Sequence, residues 1–327
     1  MCYRKQCVVV NGTKSKWSDV ESGVPQGTVL GPVLFSLHIN DILDKVSSDI
    51  RLFTDDCVCY RVIDSTEDCK ILQNDIDKLG SWARKWGMRF QPIKCNMMKL
   101  TRKKKHHIDF EYQLEGSKLE FVDNINYLGV HIANDLRWNK HAHEVTNKAN
   151  KLLGMLRRNL YFCTKDVRET AYLSLVRPIL EYAGTVWDPN YLHLENDLER
   201  VQKRAGRFVM NNYSFEEGSM TSIMNELGWK QLKQLRQENR LVLLHKGLNG
   251  YANIPISDIN QNKRKQRKRH NQQFQIPHAR TDTFKDSFIP KTLKDWNQLD
   301  PNILQKSTSA KDPTSTFAEL IRSDRFE

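Results

Sequence analysis

The sequence lacks any run of about 18 apolar residues, the length a membrane-spanning helix needs. Its longest apolar stretch, Val29 to Ile39, is interrupted by Gly31, Pro32 and His38. It also lacks the apolar core of a signal peptide behind its basic start, Met1 to Cys7. Neither secretion nor membrane insertion is expected. Cysteine is sparse and unpatterned: Cys2, Cys7, Cys57, Cys59, Cys69, Cys95 and Cys163 are odd in number and unevenly spaced. That spacing fits neither a disulfide framework nor a zinc site, and points to reduced thiols in the cytosol or nucleus. No Gly-Lys-Ser/Thr follows the early glycine-rich loop, which excludes a Walker phosphate loop. No internal repeat is present.

What is present is 327 residues, enough for two ordinary domains. An apolar fraction of 39% and an aromatic fraction of 9% can build cores, which excludes wholesale disorder. Lys and Arg number 51 against 39 Asp and Glu, a net charge of +12. Such a balance suits a polyanionic partner such as nucleic acid, or an anionic membrane surface, and equally a solvated Lys-rich face.

Along the chain, Cys7–Val10, Asn11-Gly12 and the run to Val20 predict a β-hairpin with a type I′ turn. A Gly/Pro-rich loop, Ser22 to Thr28, leads to a helix opened by Gly31-Pro32 and running to about Val46. Ile50–Thr54 and Cys57–Ile63 read as two strands meeting at Asp55-Asp56. Ser65 begins a helix whose buried face is Leu72, Ile76, Leu79, Ala83 and Trp86. Short strands are expected at 96–101, 107–113, 118–122 and 127–132, with Gly116 in the tightest turn.

Beyond Trp138 the pattern is helical, over about 139–160, 164–185 and 191–211, with Pro178 kinking the second segment. A shorter helix and one over 230–247 follow, the latter carrying Leu232, Leu235, Leu241, Leu244 and Leu248. Residues 251–282 read as a basic linker containing Lys263 to His270. Residues 283–327, with Phe284, Phe288, Leu293, Trp296 and Leu299, read as a helical tail that docks on the rest. His141 and His143 find no third ligand at a convincing spacing and are expected on the surface of a helix start. Trp82, Trp86 and Trp138 read as core rather than as stacking platforms.

Asp55-Asp56 is the sharpest chemical feature. A tight turn can bring adjacent carboxylates toward one hard cation such as Mg²⁺, which keeps sites open for water and phosphate oxygens. Two such ions can activate a 3′-hydroxyl and stabilise departing pyrophosphate. Asp is also common in turns for backbone hydrogen bonding, so the pair alone supports either reading. The loop at Gly23–Gly31 lets backbone approach a ligand, and Gln26 could hydrogen-bond a base, sugar or phosphate.

The order of these pieces is more specific. Ser22-Gly-Val-Pro-Gln-Gly-Thr-Val-Leu-Gly-Pro-Val-Leu-Phe35, then Ile39-Asn-Asp-Ile42, then Phe53-Thr-Asp-Asp56, resembles the reverse transcriptases of LINE-type (jockey-like) non-LTR retrotransposons. Trp86 to Cys95, Tyr127-Leu-Gly-Val130, Arg177 to Ala183 with Trp187, Glu199 to Arg204 and Trp296-Asn297 extend the resemblance over nearly the whole chain. It implies an α+β fold: a partial right-hand polymerase palm, an antiparallel sheet with helices, over 1–135. An all-helical thumb over 136–250 and the C-terminal tail would follow.

The resemblance implies that Asp55 and Asp56 bind two Mg²⁺ ions. Lys94 would help neutralise or protonate pyrophosphate, and Pro25, Gln26 and Gly27 would lie against nucleotide and template–primer. Tyr127, Leu128 and Gly129 would support the primer strand. Thr54 stands where the family usually has alanine, a change that should not block the turn. The implied partners are an RNA template, a DNA primer, deoxynucleoside triphosphates and the N-terminal half of a longer polyprotein, with no membrane. Nucleus and cytoplasm are the expected compartments. Arg102, Lys103, Lys104, Lys105, Lys203, Arg204 and Arg207 are candidate nucleic-acid contacts.

Enzymes of this kind carry a further essential aspartate upstream of the Gly-Val-Pro-Gln loop. Neither Asp19 nor Asp41 has the right context, and the fingers are not recognisable. The isolated chain is therefore expected not to polymerise DNA, its first part is expected to aggregate, and its helical part to fold alone. A non-catalytic RNA/DNA-binding remnant, and a decayed product without activity, are the competing readings.

Overall fold

The computed structural model describes residues 4–20, 23–24, 27–101, 108–214, 216–254, 259, 272–309 and 312–323. The chain forms two compact units, Met1–Val122 and Asp123–Glu327. The six described cysteines are all free.

In the first unit, β1 (Arg4–Gln6) precedes a small hairpin of β2 (Val9–Val10) and β3 (Thr13–Lys14), and pairs antiparallel with β4 (Ser18–Val20). Asn11 and Gly12 between β2 and β3 have φ of 49° and 84°, the two positive values that a type I′ turn requires. α1 (Leu30–Ile39) holds Pro32 in its first turn, where no intrahelical N–H bond is lost. The expected single helix to Val46 gives way at Asn40 to a 3₁₀ turn, Asn40–Lys45.

β5 (Asp49–Phe53) and β6 (Asp56–Tyr60) form an antiparallel hairpin. α2 (Thr66–Lys85) opens on a reciprocal cap, Ser65 Oγ accepting from Asp68 N–H while an Asp68 oxygen accepts from Ser65 N–H at 3.0 Å. Leu79, Trp82 and Ala83 pack on Ile39, Ile42 and Ile50, whereas Cys69, Leu72 and Ile76 pack on Tyr112, Leu114 and Leu119. Trp86, expected on this buried face, is exposed because α2 ends one residue before it. Asp75 is the polar member of the buried face. One of its oxygens accepts from Ser47 N–H, Ser47 Oγ and Ser48 N–H at 2.8–3.1 Å, and the other from Lys78 Nζ. Burial pushes its carboxyl up, but these donors outweigh burial and hold it far below the usual carboxylate range. Asp75 thereby ties α2 to the loop that launches β5.

The remaining strands of this unit are short. β7 (Asn96–Met97) precedes a hairpin of β8 (Gln113–Leu114) and β9 (Ser117–Lys118), which turns at Glu115-Gly116. β10 (Glu120–Phe121) pairs parallel with β7. One antiparallel sheet was expected; the described strands instead pair only two by two, in six separate ladders. Runs of two to five residues satisfy too few backbone groups to recruit a third strand, and α2 organises the unit instead.

The second unit begins with a correction. The pattern at 127–132 predicts one strand, but β11 (Asn124–Tyr127) and β12 (Val130–Ala133) fold back on each other about Leu128-Gly129. Both turn residues have positive φ. The helices follow as α3 (Asn139–Asn159), α4 (Lys165–Ala171), α5 (Arg177–Glu181), α6 (Gly184–Trp187), α7 (Leu192–Met210), α8 (Ser219–Leu227) and α9 (Leu232–Leu248). Pro178 cannot donate to the carbonyl four residues back, and a π-helical turn at Tyr172–Val176 absorbs the mismatch. Leu153, Tyr172, Val176, Trp187, Leu198, Val201 and Phe208 fill one core.

α10 (Asp282–Lys285), α11 (Phe288–Trp296), α12 (Pro301–Thr308) and α13 (Pro313–Ser323) complete the chain. Their Leu293, Trp296, Phe317 and Ile321 build a second core against Leu241 and Leu244 of α9. The tail thus docks through Phe288, Leu293, Trp296 and Leu299, as its apolar pattern suggested, while Phe284 stays exposed. Among the described residues no helix is long and apolar enough to cross a membrane.

His141 is a second correction. His143 is exposed as expected, but His141 is buried. Its Nδ1 accepts from His131 N–H at 3.2 Å, and its ring meets Trp187 edge to face at 4.7 Å. Burial, reinforced by His131 and opposed by Glu144, lowers its pKa from 6.5 to about 4. Between those values the unfolded imidazole takes a proton that the folded one refuses. Stability therefore falls as pH drops through this window, and the loss is complete below it. Lowering the pH from 7 to 4 should cost the wild type up to about 3 kcal/mol more stability, read from urea unfolding, than it costs His141→Asn. Parallel pH profiles would contradict the neutral, buried state.

Candidate active site

The β5–β6 hairpin pairs Phe53 with Asp56, so its two-residue turn is Thr54-Asp55. The sequence placed the turn at Asp55-Asp56; the structure moves it back by one, leaving Asp55 at the tip and Asp56 as the first residue of β6. Phe53, Thr54, Asp55 and Asp56 are all exposed. Thr54 has φ of 50°, a left-handed conformation that costs a β-branched residue on the order of 1 kcal/mol. The turn does form, as expected for a small residue, but it carries strain. Thr54 Oγ1 lies 2.7 Å from Phe53 O and 3.1 Å from Asp55 Oδ1, and its one proton can serve one of them at a time.

Beneath the turn, Cys57 and Cys59 are partly buried. Burial, with Cys59 and Cys95 adding, pushes the Cys57 thiol up to about 12. Burial, with Asp75 and Asp49 adding, pushes Cys59 up to about 11. Both stay protonated and act as small apolar side chains.

Two exposed carboxylates on adjacent residues offer the hard oxygen ligands that Mg²⁺ takes. Among the described residues, however, no group of three or more His, Cys, Asp or Glu side chains converges as a metal-ligand set. Asp41 is engaged elsewhere, accepting from Trp82 Nε1 at 2.8 Å. Asp19 is exposed on β4, 3.8 Å from Lys5 Nζ. Asp55 and Asp56 fit a divalent cation in chemistry and access but not in number: alone they do not make a two-metal site.

Gly27 is exposed, with φ of 79°, and a Cβ added there would meet nothing within 4 Å. Its neighbours Pro25 and Gln26 lie outside the described residues. Thr28 Oγ1 accepts from Gly31 N–H at 3.2 Å, which fixes the start of α1. Lys94 ends a short 3₁₀ turn, exposed, and among the described residues no ion pair joins it to Asp55 or Asp56.

Tyr127, Leu128 and Gly129 belong to the second unit. Tyr182 donates its hydroxyl to Leu128 O at 2.9 Å, and its ring lies 3.4 Å from where a Gly129 Cβ would sit. Tyr182 thus holds the turn closed. Lys203 and Arg204 are exposed on α7, and Arg204 donates to Asn150 of α3 at 3.0 Å; Arg207 is half-buried. Arg102, Lys103, Lys104 and Lys105, and the basic run at 263–270, lie outside the described residues. Sequence reasoning missed a basic and aromatic groove at the end of α3, although Arg157-Arg-Asn-Leu-Tyr-Phe162 carried its signal.

Residues 1–132 match the family model of the reverse transcriptase (RNA-dependent DNA polymerase). The chain is 25% identical over 202 residues to "Probable RNA-directed DNA polymerase from transposon BS" of Drosophila melanogaster, covering 58% of this chain and 22% of that protein. It is 28% identical over 198 residues to "RNA-directed DNA polymerase from mobile element jockey" of Drosophila funebris, covering 56% and 21%. The chain spans about a fifth of the length of these curated relatives. No solved structure matches it.

Proposed function

We propose that the chain is the RNA-directed DNA polymerase region of a non-LTR retrotransposon, and that Asp55 and Asp56 are two of the carboxylates that hold its Mg²⁺ ions. The observation that carries this reading is the exposed Thr54-Asp55-Asp56 turn, strained at Thr54, within the stretch that matches the reverse transcriptase family. Left-handed backbone at a β-branched residue is uncommon and clusters at functional sites. Residues 1–135 would serve as palm, 136–250 as thumb, 251–282 as a basic linker and 283–327 as a C-terminal tail. Lys94 would meet the pyrophosphate, Pro25, Gln26 and Gly27 the nucleotide and template–primer, and Tyr127 to Gly129 the primer. The substrates are an RNA template, a DNA primer and deoxynucleoside triphosphates, and the setting is nucleus and cytoplasm.

The remaining carboxylate would come from the upstream part of a longer polyprotein. Two observations support this. The apolar side chains of Val29, Leu30, Val33 and Leu37 on and beside α1, and of Val8, Val9, Val10 and Trp17 near the start, are exposed. Both outer edges of the β5–β6 hairpin are unpaired among the described strands, a state that invites another strand or aggregation. The incomplete donor set also favours a second reading, a non-catalytic RNA/DNA-binding remnant.

Binding and extension by the isolated chain test the reading. It should bind an RNA template annealed to a DNA primer, more weakly as salt rises, and should not extend the primer with Mg²⁺ or Mn²⁺. Extension that vanishes in Asp55→Ala would overturn the upstream requirement. Absence of hybrid binding would contradict the nucleic-acid role.

A further inference from the structure

We propose that the end of α3 and the segment following α7 form a platform for single-stranded nucleic acid, carried entirely by the second unit. A groove of about 450 Å³ opens there, lined by Gly154, Arg157, Arg158, Tyr161 and Tyr213. Gly154 gives it a floor without a side chain: a Cβ there would meet only Arg158 Nη1, at 3.8 Å. The Arg157 guanidinium lies 5.4 Å from the centre of the Tyr213 ring. Tyr161 and Phe162 stand edge to face, 5.0 Å between centres, and Phe162 is 96% exposed.

These features answer to a chain of bases and phosphates. Flat aromatic faces stack on bases of any sequence, and guanidinium groups meet the phosphates between them. Lys148 and Lys151 are exposed along α3, and Arg204 reaches α3 from α7 through Asn150. Among the described residues no carboxylate lines the groove; Glu216 and Glu217, the nearest acids after Tyr213 in sequence, are exposed outside it. The negative end of the helix dipole would account for two arginines at the end of α3. It does not account for the exposed Tyr161 and Phe162 rings beside them, since folding gains little from a ring left largely in water. A duplex hides its base faces, so a stacking platform selects single strands. The inference shares with the polymerase reading only the class of ligand.

The test is fluorescence anisotropy of the full chain with labelled oligouridylate and oligothymidylate of about twelve nucleotides, and with a duplex of the same length. The wild type should prefer the single strands. Phe162→Ala and Tyr213→Ala should each weaken single-strand binding roughly tenfold while leaving duplex binding unchanged. Arg157→Ala with Arg158→Ala should flatten the logarithmic salt dependence by about 1.4. Unaltered thermal unfolding of Phe162→Ala, whose ring is in solvent, shows that the loss is not a folding defect. Variants that bind single strands as the wild type does, or a wild type that prefers the duplex, would overturn the platform. Those results with hybrid binding intact would leave the polymerase reading standing, whereas loss of hybrid binding with the platform intact would remove only that reading. Preference for oligouridylate would identify RNA as the ligand, and equal affinity any single strand.

Discussion

Asp188→Ala is expected to destabilise the second unit by about 3–5 kcal/mol, because it leaves buried cations without their counter-charge. Asp188 follows Trp187 of the first core and is itself buried. Its Oδ1 accepts from Arg236 Nε at 2.7 Å, and its Oδ2 accepts from Lys291 Nζ at 2.6 Å and from Arg240 Nη1. Arg240 also donates through Nη2 to Asp295 at 2.7 Å. Arg236 and Arg240 lie on α9, Lys291 and Asp295 on α11, so one carboxylate joins the first core to the helices that build the second. Gly184 permits the approach, since a Cβ there would sit 3.2 Å from Arg236 Cγ.

Burial alone would push the Asp188 carboxyl up. The charges of Arg240, Lys291 and Arg236 outweigh burial and hold it below the usual carboxylate range. A depressed folded pKa means that the stabilisation is present above the unfolded carboxylate pKa and is lost as pH falls through the folded value. The deficit of Asp188→Ala in urea unfolding should therefore be full at pH 7 and shrink in acid. Asp188→Asn keeps the shape but not the charge, and should lose nearly as much. If asparagine restored wild-type stability, packing rather than charge would hold the junction.

The parts of the fold that the sequence disclosed are those decided within a few residues. Asn11-Gly12 and Gly116 specify their turns by backbone freedom, and Ser65 with Asp68 announces the start of α2. The leucines of α9 and the aromatics of the tail show a period that only burial explains. What was missed is settled by distant contacts. Leu128 has no local reason to turn the chain; Tyr182, 54 residues away, closes that turn. His141 reads as a surface residue until Trp187 and His131 enclose it. Asp188 sits in what looks like a loop, and its arginine partners lie 48 and 52 residues further on.

The candidate site divides in the same way. Asp55-Asp56 is a turn signal by itself, and acquired chemical meaning only from the order of the glycine-rich loop, α1 and hairpin. The one-residue shift of the turn follows from Thr54 accepting a left-handed conformation, which residue preference argues against. The groove at Arg157 and Tyr213 joins segments far apart in sequence, where each piece alone reads as a solvated helix end.

The second large effect concerns Asp55 itself. At the tip of an exposed turn it has no packing role, so its removal should leave folding intact. If Asp55 holds Mg²⁺ as proposed, its loss disturbs both charge balance and the in-line geometry of phosphoryl transfer, effects that multiply in rate. Nucleic acid held by basic and aromatic surfaces should still bind, so the loss should fall on turnover rather than on affinity for the hybrid. The most direct measurement is primer extension on an RNA template by a polypeptide joining this chain to the upstream part of such a polymerase, beside its Asp55→Ala variant. Extension reduced roughly a thousandfold or more, with hybrid affinity unchanged, is the expected result; extension at the wild-type rate would contradict the assignment of this turn as the catalytic centre.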